Sequence, residues 1–157
     1  MTEKFEELIE NAKRRIKTAD HIAYITYPLV KEKRLLLKVL DDTYLVMVSI
    51  INAILQYEYV YKRINLYKNP LENFKIFRQR CAKRFGITDE EINSIIEVFK
   101  IVNQHKNSPF EFMRRDKVVI MTDSLHTETI SIEKIKQHLA YTKSMLSKAE
   151  FGIKSRI

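Results

Sequence analysis

The longest apolar segment of the chain runs from Leu35 to Tyr61. Between Tyr44 and Tyr57 its only strongly polar residues are Asn52 and Gln56, which leaves no face for charged groups. A helix that is apolar nearly all round is buried on all sides by other helices. The pattern therefore predicts a central helix over about 33–64, around which the other helices pack.

A first helix is predicted from Met1 to Tyr27, with Thr2 as its N-cap. Pro28 disfavours helical geometry at the residue before it, so this helix should end or kink at Tyr27. Apolar residues recur at helical spacing and should form its core stripe: Phe5, Leu8, Ile9, Ala12, Ile16, Ala19 and Ala23.

Two further helices begin at clear capping signals. Asn69 followed by Pro70 starts a third helix that reaches about Arg84, and Gly86 ends it. The capping box Thr88–Glu91 starts a fourth helix that ends near Lys106. The residues expected to face inward are Leu71, Phe74, Phe77, Cys81 and Phe85 in the third helix, and Ile92, Ile95, Ile96, Phe99 and Val102 in the fourth.

The apolar period changes after the fourth helix. Two β-branched segments, Lys117–Thr122 and His126–Ser131, are separated by a short polar turn and predict a β-hairpin. An isolated hairpin is marginal in water, so it must pack on the bundle or on a partner. Ser131 then caps the last helix, whose core face is predicted to be Ile132, Ile135, Leu139, Leu146 and Ala149.

These elements predict a mainly α fold in a single domain, 1–157. It is an antiparallel bundle of about five helices around a long apolar second helix, with a β-hairpin at about 117–131 before the last helix. The length of 157 residues suits one domain, and the scarcity of glycine and proline, two and three residues, suits long helices.

Composition also bears on the compartment. Cys81 is the single cysteine, so it cannot form an internal disulfide, and it favours a reducing environment. Residues 1–10 alternate acids with apolar residues and lack the core of a signal peptide. The apolar run stays uninterrupted for less than the ~20 residues of a membrane span. We therefore expect a cytoplasmic protein without a membrane segment.

The chain is basic, with a net charge of +8, and basic residues concentrate at 62–84 against a single acid, Glu72. Basic groups with nearby aromatic side chains are typical of surfaces that bind RNA. The alternative is a solvated helix face. The predicted RNA contacts are Lys75, Arg78, Arg80, Lys83 and Arg84, extended by Arg114 and Arg115 at the start of the hairpin. Charges at this last position can also protect an edge strand from pairing with another chain.

Other signals for chemistry are weak. The four histidines lack the spacing of a metal pair, and no glycine-rich phosphate loop occurs, so no metal and no cofactor are expected. Asp41 and Asp42 point about 100° apart on a helix, so at least one should be solvated or paired with a lysine. Asn52 is either a locally satisfied core amide or a residue that fixes helix register or a dimer contact.

The first helix carries the pattern Ala12-Lys13-Arg14-Arg15-Ile16…Ala19-Asp20-His21, and the second ends Ile51-Asn52-Ala53-Ile54-Leu55. Over about residues 6–106 this resembles the HEPN superfamily of small α-helical bundles, whose minimal form has no counterpart of the hairpin region. The resemblance implies a homodimer. It also implies either a metal-independent RNase or a non-catalytic partner of a protein such as a nucleotidyltransferase.

The nuclease members of that superfamily carry an arginine, four to six intervening residues and then a histidine on a late helix that faces the dimer cleft. The matching pair here is Lys100 and His105, with lysine in place of arginine. The resemblance would give His105 the acid–base role and Lys100 the phosphate contact. Lysine lacks the bidentate fork of arginine, so the replacement weakens the case for catalysis. Arg15 and His21 have similar spacing but lie on the first helix.

The sequence therefore supports three hypotheses. The first is a non-enzymatic module that binds RNA or a protein partner and acts as a dimer. The second is a metal-independent endoribonuclease of HEPN type that uses Lys100 and His105. The third is a purely structural subunit of a larger complex.

Overall fold

A computed structural model describes residues 3–155 of the chain, and the predicted N-cap Thr2 lies outside them. The predicted mainly α fold with a hairpin before the last helix is confirmed within this range. Its α-helices are α1 (Lys4–His21), α2 (Tyr27–Val30), α3 (Lys33–Val60), α4 (Pro70–Ile76), α5 (Asp89–Lys106) and α6 (Ile132–Ser155). None of these helices is both long enough and apolar enough to cross a membrane.

Helix α3 is the centre of the bundle, and it packs against α1, α5 and α6. It begins at the predicted residue but ends at Val60, because Lys62 takes a left-handed conformation with φ +61°. The prediction that it is buried on all sides is wrong. Its Tyr44 and Val48 lie along an open groove between α3, α4 and α5. Asn52 lines the same groove and is exposed, so it is not a core amide.

The first helical segment extends past Pro28. A π-helical turn, Ile22–Thr26, follows α1, and the Tyr27 N–H donates to the Ile22 carbonyl. Pro28 follows in the first turn of α2. The π-helical turn directly before it is a local irregularity of the kind by which a helix accommodates proline, which has no N–H. Helical structure therefore continues to Val30, and the regular pattern is interrupted one turn earlier than predicted. Apart from Leu8, which is half-buried, the predicted stripe of α1 is buried.

Both predicted caps of the middle helices are present. Asn69 Oδ1 accepts from the Leu71 N–H at 2.9 Å, and Thr88 forms the full capping box with Glu91. Helix α4 is short, however, and a π-helical turn, Phe77–Cys81, and a 3₁₀ turn, Lys83–Phe85, follow it. Gly86 then has a φ of +74°, a conformation that favours glycine.

Two residues predicted to face the core are exposed. Leu71 is 78% exposed and Ile96 is 39% exposed. Leu71 precedes the buried Phe77 by six residues, so α-helical rotation places it about 120° from that side. Ile96 directly follows the buried Ile95, and the same rotation carries it about 100° away from that side chain.

The β segment is larger than predicted. Within residues 3–155 the strands β1 (Phe110–Arg114), β2 (Lys117–Met121) and β3 (Thr127–Ser131) form an antiparallel sheet in the order β1-β2-β3. The inner face buries Val118, Ile120 and Ile130 towards α5 and α6. Strand β1 was missed because it contains no β-branched residue and forms by pairing with β2. Ser131 Oγ accepts from the Lys134 N–H, as predicted for the cap of α6.

Candidate nucleic-acid interface

A buried carboxylate organises the basic surface. Glu58, near the end of α3, is fully buried among the core residues. Its Oε2 accepts from Arg63 Nη1 at 3.2 Å and from Arg84 Nη1 at 2.7 Å. Charged hydrogen bonds of this kind are stronger than neutral ones. Glu58 therefore fixes two guanidinium groups from separate segments at one place on the surface.

The loop after α3 holds Arg63 in a defined position. The Arg63 N–H donates to the Glu58 carbonyl at 2.9 Å, after the left-handed Lys62 turns the chain back. The guanidinium lies over two rings, 5.8 Å from the centre of Tyr57 and 5.4 Å from that of Tyr61. Desolvation acts to lower the pKa of Arg63, but the hydrogen bond and the charge of Glu58 outweigh it and raise that pKa.

A first open cleft of about 520 Å³ lies beside Arg63. We call it the tyrosine cleft. Tyr59 is about half exposed here, and Arg80 reaches the cleft from the segment after α4. Among residues 3–155, neither Lys62 nor Arg80 forms an ion pair, so both cations are available to a ligand. The cleft is lined by Tyr59, Val60, Lys62, Arg63, Ile64, Asn65 and Arg80.

A second open cleft of about 500 Å³ lies on the Arg84 side, and we call it the Phe151 cleft. Phe151 of α6 is 74% exposed at its edge. Gly152 allows the close approach of α6, because an added Cβ would lie 2.5 Å from the Phe85 ring. The cleft is lined by Lys83, Arg84, Phe85, Gly86, Ser147, Lys148, Phe151, Gly152 and Ser155. The shared carboxylate of Glu58 links this cleft to the tyrosine cleft.

The structure divides the predicted RNA contacts into three groups. Arg80 lines the tyrosine cleft, and Lys83 and Arg84 line the Phe151 cleft. Lys75 and Arg78 are exposed but line neither cleft. Arg114 and Arg115 line a separate hollow on the sheet. Sequence reasoning missed Glu58, Tyr59, Lys148 and Phe151. Only Glu58 had a signal in the sequence, because it is a charged residue beside an apolar run.

Lys100 and His105 do not converge on one group. The Lys100 Nζ lies 3.6 Å from Glu128 Oε1 on β3, whereas His105 Nδ1 lies 2.7 Å from Glu111 Oε2 on β1. These strands are separated by β2. The two side chains therefore reach towards opposite edges of the sheet. Their joint role in catalysis stays a prediction, while the His105–Glu111 pair is a well-defined contact.

A second histidine lies in the core. His138 Nδ1 is 2.7 Å from Ser94 Oγ, and its Nε2 is 3.5 Å from Glu97 Oε2. Serine, histidine and a carboxylate resemble a catalytic triad, but Ser94 and His138 are both buried, so a substrate would have no access. Burial lowers the pKa of His138, so this contact is neutral and structural.

The remaining candidate groups have structural contacts. Asp42 is buried and pairs with Lys38 at 2.9 Å, as the sequence predicted, and also with Arg15 at 3.1 Å. Burial raises the pKa of Cys81 to about 11, which makes this thiol a poor nucleophile. No group of three histidine, cysteine, aspartate or glutamate side chains within residues 3–155 is arranged to hold a metal ion.

Comparisons with protein-family models and with curated proteins give no match to this chain. The case for a function therefore depends on the clefts, and the HEPN resemblance stays a prediction.

Proposed function

We propose that the protein is a non-enzymatic RNA-binding module, and that RNA lies across the tyrosine cleft and the Phe151 cleft. The observation that carries this proposal is the Glu58 clamp, which holds Arg63 and Arg84 side by side between the two clefts. The clamp therefore positions two guanidinium groups where the clefts meet.

The neighbouring side chains match the chemistry of RNA. Lys62, Arg80 and Lys83 add three cations that form no ion pair among residues 3–155. These three cations are available to contact phosphate groups. The exposed rings of Tyr59 and Phe151 at the edges of the clefts offer stacking surfaces for bases.

This count predicts a salt dependence. For single strands, log affinity falls with log salt by about 0.7 per phosphate contact, so the three cations of the clefts contribute about −2 to the slope. Fluorescence anisotropy with a labelled 20-nucleotide RNA across a sodium chloride series measures this slope. Lys62→Ala and Arg80→Ala should each reduce its magnitude by about 0.7.

Lys17→Ala is the matched control, because Lys17 is an exposed lysine of α1 without an ion pair in the described part of the chain. It should leave the slope unchanged. Absence of binding at low salt would overturn the proposal. If Lys17→Ala and Lys62→Ala lost the same RNA affinity, only the overall charge would matter, and the clefts would be rejected as the site.

A second candidate function is a metal-independent endoribonuclease, and one contact favours it. A histidine whose Nδ1–H donates to a carboxylate has its Nε2 lone pair available for proton transfer. His105 is half-buried and forms such a pair with Glu111, and Lys33 Nζ lies 3.5 Å from the Glu111 carbonyl. His105→Ala should then abolish cleavage of unstructured RNA in EDTA. Unchanged cleavage by that variant would identify the activity as contamination.

A further inference from the structure

The outer face of the sheet is built from alternate residues of its three strands. Phe110, Phe112 and Arg114 of β1 stand beside Met121, Val119 and Lys117 of β2. Next to these lie Thr127, Thr129 and Ser131 of β3. Successive side chains on one strand point to opposite faces, so these residues share a face. From this arrangement we propose that the outer face is a second RNA contact, specific for unpaired bases; this inference rests on the proposed function.

Charge is separated between the two faces of this sheet. On the inner face, Glu111 and Glu128 contact His105 and Lys100 of α5. The strand residues of the outer face, all within the described chain, include Arg114 and Lys117 and no carboxylate. The acid of the neighbouring turn, Asp116, is held by the Tyr27 hydroxyl at 2.8 Å. The outer face therefore complements an anion.

These cations surround a hollow of about 310 Å³. Arg114, Lys117 and the turn residue Arg115 line it together with Val119 and Thr129. None of the three cations forms an ion pair within residues 3–155. Guanidinium, ammonium and hydroxyl groups all donate hydrogen bonds, so the hollow suits a phosphate group.

Two exposed rings continue the face beyond the hollow. Phe110 and Phe112 are 56% and 40% exposed, and their ring centres lie 5.7 Å apart. Phe112 is paired across the strands with Val119, which lines the hollow, so the aromatic and cationic parts are contiguous. Side chains two residues apart on a strand are spaced about 6.6 Å, so neighbouring nucleotides could place bases on successive rings.

This arrangement favours a single strand over a duplex. Bases within an A-form helix are stacked on each other, and only unpaired bases can be splayed onto aromatic side chains. Edge protection can explain the charge of Arg114, which lies on the edge strand β1. It does not explain Lys117, which stands beside Arg114 on the central strand β2.

The two RNA surfaces lie towards opposite ends of α6. Strand β3 ends directly before Ile132, whereas Lys148 lines the Phe151 cleft. Sixteen residues of helix separate these positions, a distance of about 24 Å. A long single strand could bridge both surfaces and gain affinity through effective concentration, whereas a short one could occupy only one.

The test compares a labelled 20-nucleotide uridine-rich RNA with a 20-base-pair RNA duplex by fluorescence anisotropy. The double variant Phe110→Leu, Phe112→Leu keeps apolar volume but removes both aromatic rings. It should weaken single-strand binding about 10-fold or more, leave the salt slope unchanged and leave duplex binding unchanged. The double variant Arg114→Gln, Lys117→Gln should reduce the magnitude of the slope by about 1.4.

Tyr24→Leu, which removes another half-exposed aromatic ring, is the matched control and should bind as the unaltered protein does. Circular dichroism should give the same melting temperature for all of these variants. If the Phe110→Leu, Phe112→Leu protein binds single strands normally while Lys62→Ala and Arg80→Ala bind less, the inference fails and the proposed function stands. If the Phe110→Leu, Phe112→Leu protein lost the same affinity for the single strand and for the duplex, the inference would also be overturned. If the unaltered protein binds no RNA, both fail.

Discussion

At the scale of the residue, the buried Glu58 carboxylate holds Arg63 and Arg84 in place. Removing one member of a buried ion pair is costly, although both guanidinium groups here retain contact with water. We expect Glu58→Gln to lower the free energy of unfolding by about 1 to 3 kcal/mol. Urea denaturation measures this change. Glu72→Gln, at an exposed acid of α4, is the control, and equal stability of the two variants would contradict the clamp.

His138 gives the fold a defined pH response. Burial lowers its pKa below the ordinary 6.5, so the unfolded chain binds the proton more readily than the folded protein. Stability should therefore fall as pH decreases through about 6.5, by at most about 1.4 kcal/mol per pH unit. Lys134 acts in the same direction as burial, whereas the carboxylate of Glu97 opposes both.

Denaturation of His138→Gln at pH 7 and pH 5 tests this response, because the variant should lose less stability between those values than the unaltered protein. The carboxyl groups with altered pKa do not interfere in this window. The pKa values of Glu91 and Glu150 are lowered from 4.5, so both stay ionised above pH 5. If the variant and the unaltered protein lost the same stability between pH 7 and pH 5, His138 would be rejected as the cause of the pH response.

At the scale of the element, the packing of α6 on the segment after α4 depends on Gly152. A methyl group there would meet the Phe85 ring at 2.5 Å. Alanine is favoured over glycine in a helix by about 1 kcal/mol, but overpacking costs about 1 to 3 kcal/mol. Gly152→Ala should therefore destabilise the protein by about 1 kcal/mol in a thermal melt. Phe85→Leu in the same chain should restore part of the loss, and Ser147→Ala should change little.

Element boundaries were predictable where local chemistry decides them. Asn69 and Thr88 cap their helices through their own side chains, and Gly86 takes the left-handed conformation expected after a helix. Other features depend on distant partners. The strand β1 forms only because β2 pairs with it, and Asn52 is exposed because it lines the groove between α3, α4 and α5.

At the scale of the whole molecule, the candidate interface also combines features that the local sequence predicts with features that depend on distant contacts. The density of charge in 62–84 identified Arg80, Lys83 and Arg84. No local pattern connects these residues to Phe151 or Lys148, which lie more than sixty positions away and reach the cleft only through the packing of α6. Charge that is local in sequence is therefore predictable, whereas the shape of the surface that carries it is a tertiary property.

The predicted homodimer also concerns the whole molecule. The groove of about 360 Å³ beside α3 has apolar walls, including Val48 and Phe74, and α4 and α5 expose Leu71 and Ile96. Burying such side chains against a second copy would gain about 25 cal/mol per Å². Light scattering at micromolar concentration should then give twice the chain mass of 18.7 kDa. Val48→Asp should give a folded monomer. The control Leu125→Asp, at the exposed β2–β3 turn, should remain dimeric. A mass of one chain for the unaltered protein would contradict the predicted dimer.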